Sequence, residues 1–173
     1  MKIPEWISYR GFIIEAVKRE FRMKYQNSLF GMAWNVINPL AMIVVYTVIF
    51  AGLMRAKLPG IDSKYAYSIY LCAGTLTWGF FVEIISKEQT IFIENANLLK
   101  KINFPHGALL AIVIINALLN FSIVAFLFIT FLLLTDNFPG WVILAAIPVL
   151  LLQTIFAIGL GLILGVLNVF FGM

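Results

Sequence analysis

Four long apolar runs constrain the fold of this chain more than any other feature of its sequence. They extend from about Ala33 to Met54, from Ala66 to Ser86, from Ala108 to Thr135 and from Trp141 to Phe171. A helix of about 20 apolar residues crosses the ~30 Å hydrocarbon core of a bilayer. Each run reaches that length, so the sequence predicts four transmembrane helices within a transmembrane domain that covers residues 33–173.

The composition excludes an ordinary soluble domain. Of the 173 residues, 62% are hydrophobic and 12% are charged, and the mean hydropathy is +1.01. Too few charged side chains are present to cover a surface that faces water. The predicted fold class is therefore all-α, a polytopic helical membrane protein.

Three features of these runs lead to further predictions. The first run begins after 32 residues of mixed charge and is longer than the core of a signal peptide, so it is expected to be a retained span. Pro148 is the expected kink in the long fourth run, because proline cannot donate a helical hydrogen bond. Cys72 lies inside the second run, where packing is the expected role and no disulfide partner exists.

Basic residues predict the orientation. Nine lie in residues 1–32 and in the connection between the second and third runs, and three, Arg55, Lys57 and Lys64, lie on the opposite side. Cytoplasmic loops carry the excess of Lys and Arg, so the N-terminus is predicted to be cytoplasmic. The net charge of +4 then reflects topology, and no nucleic acid is expected as a partner.

Residues 1–32 predict an amphipathic helix at the membrane surface. Its apolar side is formed by Ile3, Ile7, Ile14, Val17 and Phe21. Its polar side is formed by Glu15, Lys18, Arg19 and Arg22. Such a helix lies at the level of the lipid headgroups. A simple membrane anchor and a docking surface for a cytoplasmic partner are equally compatible with this pattern.

The connection at residues 87–105 is too polar for the bilayer and too apolar for a free linker. It alternates residues such as Leu98, Leu99 and Phe104 with Asn97 and the lysines at positions 100 and 101. This mixture suits a short helix in a groove of another protein. Pro105 is expected to end the segment and begin the third span.

Four motifs in order resemble the permeases of ATP-binding-cassette exporters of polysaccharides and polyol phosphates. The motif before the first span comprises Arg22, Tyr25, Ser28, Gly31, Trp34 and Pro39. The second cytoplasmic motif comprises Asn95, Asn97, Leu98, Leu99, Lys100, Lys101, Ile102, Phe104 and Pro105. The remaining two are the stretches 74–81 and 159–171. Together they cover nearly the whole chain.

The resemblance implies a function and its partners. The chain would be the membrane subunit of an exporter of lipid-linked polysaccharide in a bacterial or archaeal inner membrane. A separate ATPase subunit would bind ATP and magnesium and contact residues from Glu94 to Pro105. Two copies of the chain would surround the path. Members of this family typically continue for about two more spans, so either a fragment or a shortened protein is expected.

The sequence contains no nucleotide-binding, metal-binding or catalytic motif. The glycine-rich stretch 159–165 lacks the Lys-Ser/Thr end of a nucleotide-binding loop and lies in an apolar run. Gly161 and Gly165 instead form a small-xxx-small pair that predicts close helix packing. His106 is the only histidine and no Cys/His cluster accompanies it, so no metal site is expected. Because a nucleotide-binding or catalytic motif is missing, no enzymatic activity and no cofactor are expected of this chain.

Polar residues in the spans leave two interpretations open. Asn116 and Asn120 stand one helical turn apart and are expected to face the same neighbour, either as interhelical hydrogen-bonding groups or along a path. Glu83 is expected to pair with Lys87 one turn later, with proton coupling as the alternative. The possible path-lining set is Trp78, Phe81, Asn116, Asn120 and Gln153.

Three other functions remain open from the residues. A family member that exports a drug or a lipid would carry the same motifs. A secondary transporter would need coupling residues near the middle of the membrane, for which only Glu83 and the asparagines qualify. A membrane anchor would need no path.

Overall fold

The computed structural model describes residues 10–26, 33–55, 58–59, 63–96 and 106–171. In these ranges the α-helices are α1 Arg10–Gln26, α2 Trp34–Tyr46, α3 Ala66–Glu94, α4 His106–Leu134 and α5 Ala146–Phe171. Four stretches are long and apolar enough to cross a membrane: Val36–Leu53, Ala66–Glu94, Gly107–Leu134 and Gly140–Phe171. The predicted all-α fold with four spans is confirmed.

The first span changes its helical geometry along its length. Pro39 lies inside α2, and the helix continues as a π-helix over Thr47–Leu53. Thr47 Oγ1 donates to the carbonyl of Ile43 at 2.7 Å, which supplies a polar partner at the transition. Arg55 then has a φ of 49°, the left-handed conformation in which helices commonly end.

Helices α3 and α5 pack closely through a stripe of small residues. The buried residues of α5 are Ala157, Gly161, Gly165 and Asn168. A Cβ atom added to Gly165 would lie 2.8 Å from the backbone oxygen of Glu88, closer than real Cβ atoms approach. The absence of side chains therefore permits this approach, and the predicted packing role of Gly161 and Gly165 is confirmed.

Helix α4 packs on α3 and completes a core that α3 shares with α5. Phe80 and Ile84 of α3 form a buried cluster with Ala117 of α4 and Ala157 of α5. The Phe80 and Phe121 rings lie with their centroids 4.7 Å apart. Outside this core, large apolar side chains remain exposed, including Leu134 and Phe170, so lipid is the solvent that suits the outer surface.

The boundaries of two spans differ from the predicted ones. Helix α3 continues without a break past Ser86 to Glu94, because Ile91 of this extension packs against α1 and α4. The fourth span begins as a 3₁₀ helix over Gly140–Ala145. Pro148 lies in the first turn of α5, where its missing N–H is not needed, directly after the 3₁₀ helix. The expected kink at this residue stays a prediction.

Cys72 is completely buried in the packing of α3. Its expected role as a packing residue is confirmed.

Candidate functional site

The N-terminal helix α1 packs against the ends of α3 and α4. Its buried residues Ile13, Ala16 and Val17 share one apolar cluster with Ile91, Ala108, Leu109, Ile112 and Val113. The cluster excludes water along one face of α1 and holds the helix on the membrane-spanning part of the chain. Helix α1 is thus a packed element of the fold.

The face of α1 that packs on protein coincides only in part with the predicted apolar stripe. Val17 is buried against protein, whereas Ile14 is 52% exposed and Phe21 is partly exposed within the chain, and the predicted contact of the stripe with the membrane stays a prediction. The face that contacts protein is instead centred on Ile13, Ala16 and Val17. Apolar residues on α1 cover a wide arc, so one part of it packs on α4 while another remains exposed. Ile3 and Ile7 of the predicted stripe lie outside the described residues.

Glu20 joins α1 to two other helices. Its carboxylate accepts hydrogen bonds from Lys87 Nζ of α3 and, at 2.6 Å, from Asn116 Nδ2 of α4. The Glu20 and Lys87 side chains are 30% and 44% exposed, so their opposite charges are only partly screened by solvent. The expected ion pair between Lys87 and Glu83 is wrong, because packing of α1 brings Glu20 to the lysine.

Asn120 contacts a different acid. Its Nδ2 donates to Oε1 of Glu83 in α3, whereas Asn116 donates to Glu20. The expectation that both asparagines face the same neighbour is therefore wrong. Residues four apart on an α-helix differ in direction by about 40°, and α4 lies between two neighbours here. Both asparagines nevertheless make interhelical hydrogen bonds, as one of the two interpretations predicted.

A cavity of about 500 Å³ adjoins the contact between Glu83 and Asn120. It lies between α2, α3 and α4, and Asn38 and Pro39 of α2 contribute to its wall. Phe80 of α3 lines the apolar part. One acid, two amides and the hydroxyl-bearing Thr75 thus line a cavity whose other walls are apolar, an arrangement that can hold a polar group inside the membrane.

The five possible path-lining residues divide between two sides of the bundle. On one side, Gln153 Nε2 donates to the carbonyl of Thr77 at 2.9 Å. The Phe81 ring there stacks on Phe156 at 5.9 Å and lies 5.4 Å from the Trp78 ring. Trp78 is 63% exposed. Asn116 and Asn120 bind the acids described above, so the five side chains do not share one surface.

The residues of the motif before the first span and of the motif from Asn95 to Pro105 are only partly described. Arg22 is exposed on α1, Trp34 is 43% exposed at the start of α2, and Pro39 lies within α2. The Tyr25 side chain, Ser28, Gly31 and residues 97–105 lie outside the description.

The end of α3 supplies the first two residues of the predicted coupling segment. Glu94 is its exposed last residue, and Asn95 follows as the C-cap. The Asn95 side chain donates to the carbonyl of Ile91 at 2.9 Å, which satisfies one of the free carbonyls at the helix end. The segment therefore starts directly from the end of a membrane-spanning helix.

Sequence reasoning missed Glu88. Its side chain is completely buried, and neither carboxyl oxygen has a hydrogen-bond partner among the described residues. Nearby, Asn168 Nδ2 donates to the carbonyl of Gln89 at 2.8 Å. The available signal was the four-residue spacing of buried side chains along α3, which runs through Phe80 and Ile84 to Glu88.

Glu20 was missed for a different reason. It lies on α1 one turn beyond the buried Ala16 and Val17, so helical spacing placed it at the edge of the packed face. Within the described ranges, no group of three His, Cys, Asp or Glu side chains is arranged to hold a metal ion. The contacts of Glu20 and Glu83 described above instead join helices.

Comparison with known proteins assigns the family. The sequence model of the ABC-2 type transporter family matches residues 13–173. An O-antigen export system permease protein RfbA from Myxococcus xanthus is 28% identical over 98% of this chain and 63% of its own length. One from Klebsiella pneumoniae is 28% identical over 92% of this chain and 60% of its own length. The chain thus spans about three fifths of the length of these curated relatives. It belongs to the ABC-2 type transporter family.

Proposed function

We propose that this chain forms the membrane subunit of an ATP-driven exporter of lipid-linked polysaccharide. The observation that carries the proposal is the match of 98% of the chain to a permease named for O-antigen export. The motif residues from Arg22 to Pro39 and from Asn95 to Pro105 support the same assignment. The alternative within the family is an exporter of a drug or another lipid.

In this proposal, ATP and magnesium bind to a separate ATPase subunit. The sequence contains no nucleotide-binding loop, so the force has to enter through a contact surface. Residues 94–105 are the proposed contact, because their apolar side chains alternate with polar and basic ones. The distribution of basic residues, nine against three, supports a cytoplasmic position for this segment and for the N-terminus, in a bacterial or archaeal inner membrane.

The continuity of α3 supports a mechanical route for the coupling. The proposed contact begins at Glu94, the last residue of a helix that packs along α5 through its glycines. The same helix carries Lys87, which binds Glu20 of α1. A displacement of the segment would therefore move α3 against its neighbours as one rigid element. A second copy of the chain would complete the wall of a path for a polymer.

The coupling experiment uses substitutions in the proposed contact of the full-length protein. Leu98→Ala and Phe104→Ala are expected to lower copurification of the ATPase, since truncating one apolar anchor weakens binding by about 1–4 kcal/mol. Leu134→Ala is the matched control, because Leu134 is 81% exposed at the far end of α4. Membrane insertion is expected to be unchanged in all three. Unaltered ATPase binding and export in both contact variants would contradict the proposal.

The substrate class is tested separately. Depletion of the protein is expected to leave lipid-linked polysaccharide at the cytoplasmic face and to remove the polymer from the cell surface. A cell that displays normal polymer but becomes sensitive to drugs would instead support the alternative exporter.

A further inference from the structure

We propose that a groove between α1 and α4 binds an anionic phospholipid, with its phosphate at Lys18 and Arg22 and an acyl chain along α4. Such a lipid comes from the membrane itself, so its binding does not depend on the exported substrate. The shape of the groove, the composition of its walls and the charge at its opening all favour this ligand.

The groove has a volume of about 720 Å³. Its apolar walls comprise Val17, Phe21, Leu119, Ile123 and Phe126. Leu119, Ile123 and Phe126 belong to a membrane-spanning helix, and Phe126 is 70% exposed. An open apolar groove on such a helix is in contact with the hydrocarbon of the bilayer, so a lipid chain is the occupant that the solvent itself provides.

The position of α1 gives the groove a defined wall. The Ile13 and Val17 cluster and the Glu20 contacts hold α1 against α4 on the side next to the groove. Acyl chains meet an uninterrupted surface along most of a spanning helix. Here they would instead pass into a cleft bounded by a second helix, which favours one bound lipid over a freely exchanging layer.

Two cations stand at the groove. Lys18 and Arg22 line it, one helical turn apart on the exposed side of α1. Lys18 Nζ lies 3.1 Å from Glu15 Oε1, and both side chains are more than half exposed, so this ion pair leaves much of the local positive charge available. Arg19 adds a third cation on the same helix, while the acid Glu20 is engaged with Lys87. A phosphate complements this arrangement through charge-assisted hydrogen bonds.

A ligand that fits this groove thus needs an anionic headgroup next to an apolar chain. Lys and Arg side chains near a spanning segment extend their charged ends toward the interface, which places them at headgroup level. A diacyl phospholipid with a net negative charge satisfies both requirements. A zwitterionic lipid supplies the chain and a phosphate, but its ammonium group cancels the net negative charge, so its attraction to the two cations is weaker.

The experiment is native mass spectrometry of the full-length protein purified in detergent. Phosphatidylglycerol and phosphatidylethanolamine with identical acyl chains are added in turn. Phosphatidylglycerol is expected to remain bound at higher collision energy and to be displaced by phosphatidylethanolamine only in large excess. Equal retention of the two lipids would overturn the proposal.

Variants locate the bound lipid. Lys18→Gln with Arg22→Gln is expected to lower phosphatidylglycerol retention several-fold and to leave phosphatidylethanolamine unchanged. Arg10→Gln is the matched control, since Arg10 is an exposed cation of α1 outside the groove. An equal loss in the control would show attraction by general charge and overturn the site. Ile123→Trp fills the apolar part and is expected to lower retention of both lipids.

Circular dichroism checks that each variant retains its helix content. The charge variants change exposed residues, so they test the site even if Ile123→Trp fails to fold. A polyprenyl phosphate that displaces phosphatidylglycerol at equal concentration would assign the groove to a carrier lipid and overturn the phospholipid proposal.

Discussion

Asn116 of α4 donates a hydrogen bond of 2.6 Å to the carboxylate of Glu20 in α1, although 96 positions separate the two residues in the chain. The same carboxylate accepts from Lys87 of α3. One acid therefore connects the N-terminal helix with two spans, and its partner Lys87 lies about two helical turns before the end of α3 at Glu94. Replacing this acid is therefore the most direct test of whether α1 can be loosened while the spans stay folded.

Glu20→Ala is expected to loosen α1 while the four spans stay folded. The change leaves the Lys87 ammonium and the Asn116 amide without their acceptor, a loss of about 1–3 kcal/mol for partly buried groups. Hydrogen exchange of residues 10–26 in detergent measures it as faster exchange. Glu15→Ala is the control, because the exposed pair of Glu15 with Lys18 contributes at most about 1 kcal/mol. Equal exchange rates in the two variants would contradict the connecting role of Glu20.

Gly165→Ala is expected to destabilise the contact between α3 and α5. The added Cβ would meet the backbone oxygen of Glu88 at 2.8 Å, and backbone moves less readily than a side chain. Overpacking of this kind lowers the free energy of unfolding by about 1–3 kcal/mol. Thermal unfolding in detergent is the measurement. Gly159→Ala, in the same helix with open space around its Cβ position, should unfold at the parent temperature or slightly above.

Glu88→Met is expected to raise the stability of the chain. The acid is completely buried without a hydrogen-bond partner among the described residues, and an apolar side chain of similar length removes that desolvation penalty. The expected gain is about 1–3 kcal/mol in the free energy of unfolding. Glu94→Met, at the exposed end of the same helix, should change it little. A loss of stability in Glu88→Met would show that the carboxyl group has a partner in the assembled protein.

The two ends of α3 test the proposed orientation. Lys64→Cys and Glu94→Cys introduce thiols at exposed residues next to Ala66 and at the end of the helix, in a Cys72→Ala background. In intact cells an impermeant thiol reagent is expected to label position 64, and to label position 94 only after the membrane is opened. The reverse pattern would place the N-terminus outside.

The polar contact between Gln153 and Thr77 offers a quantitative check on interhelical hydrogen bonds. Gln153→Leu removes a hydrogen bond of 2.9 Å to the backbone carbonyl of Thr77. This carbonyl is also a hydrogen-bond acceptor within its own helix, α3. Such bonds contribute about 0.6 kcal/mol on average inside membranes. The expected effect on unfolding is therefore small, and transport should change only if the amide also contacts the substrate. A large loss of transport with an unchanged unfolding temperature would support a path-lining role.

The sequence by itself determined the properties that depend on local composition. Four apolar runs predicted four spans, because the transfer of a helix into lipid depends on its own side chains. Apolar residues at helical spacing near the N-terminus predicted an amphipathic helix. Glycines four residues apart predicted the close contact of α5, since only small residues let helices approach. The motifs from Arg22 to Pro105 identified the family before any contact was known.

Only the tertiary structure decided which polar groups bind one another. Glu83, Lys87, Asn116 and Asn120 were recognised from the sequence, but the local pair of Glu83 with Lys87 was wrong. Helical spacing gives the direction of a side chain on its own helix. It does not say which neighbouring helix that side chain faces. Glu20 binds Lys87 and Asn116 because the apolar face of α1 packs on α3 and α4, and that packing depends on residues about 75 to 100 positions apart.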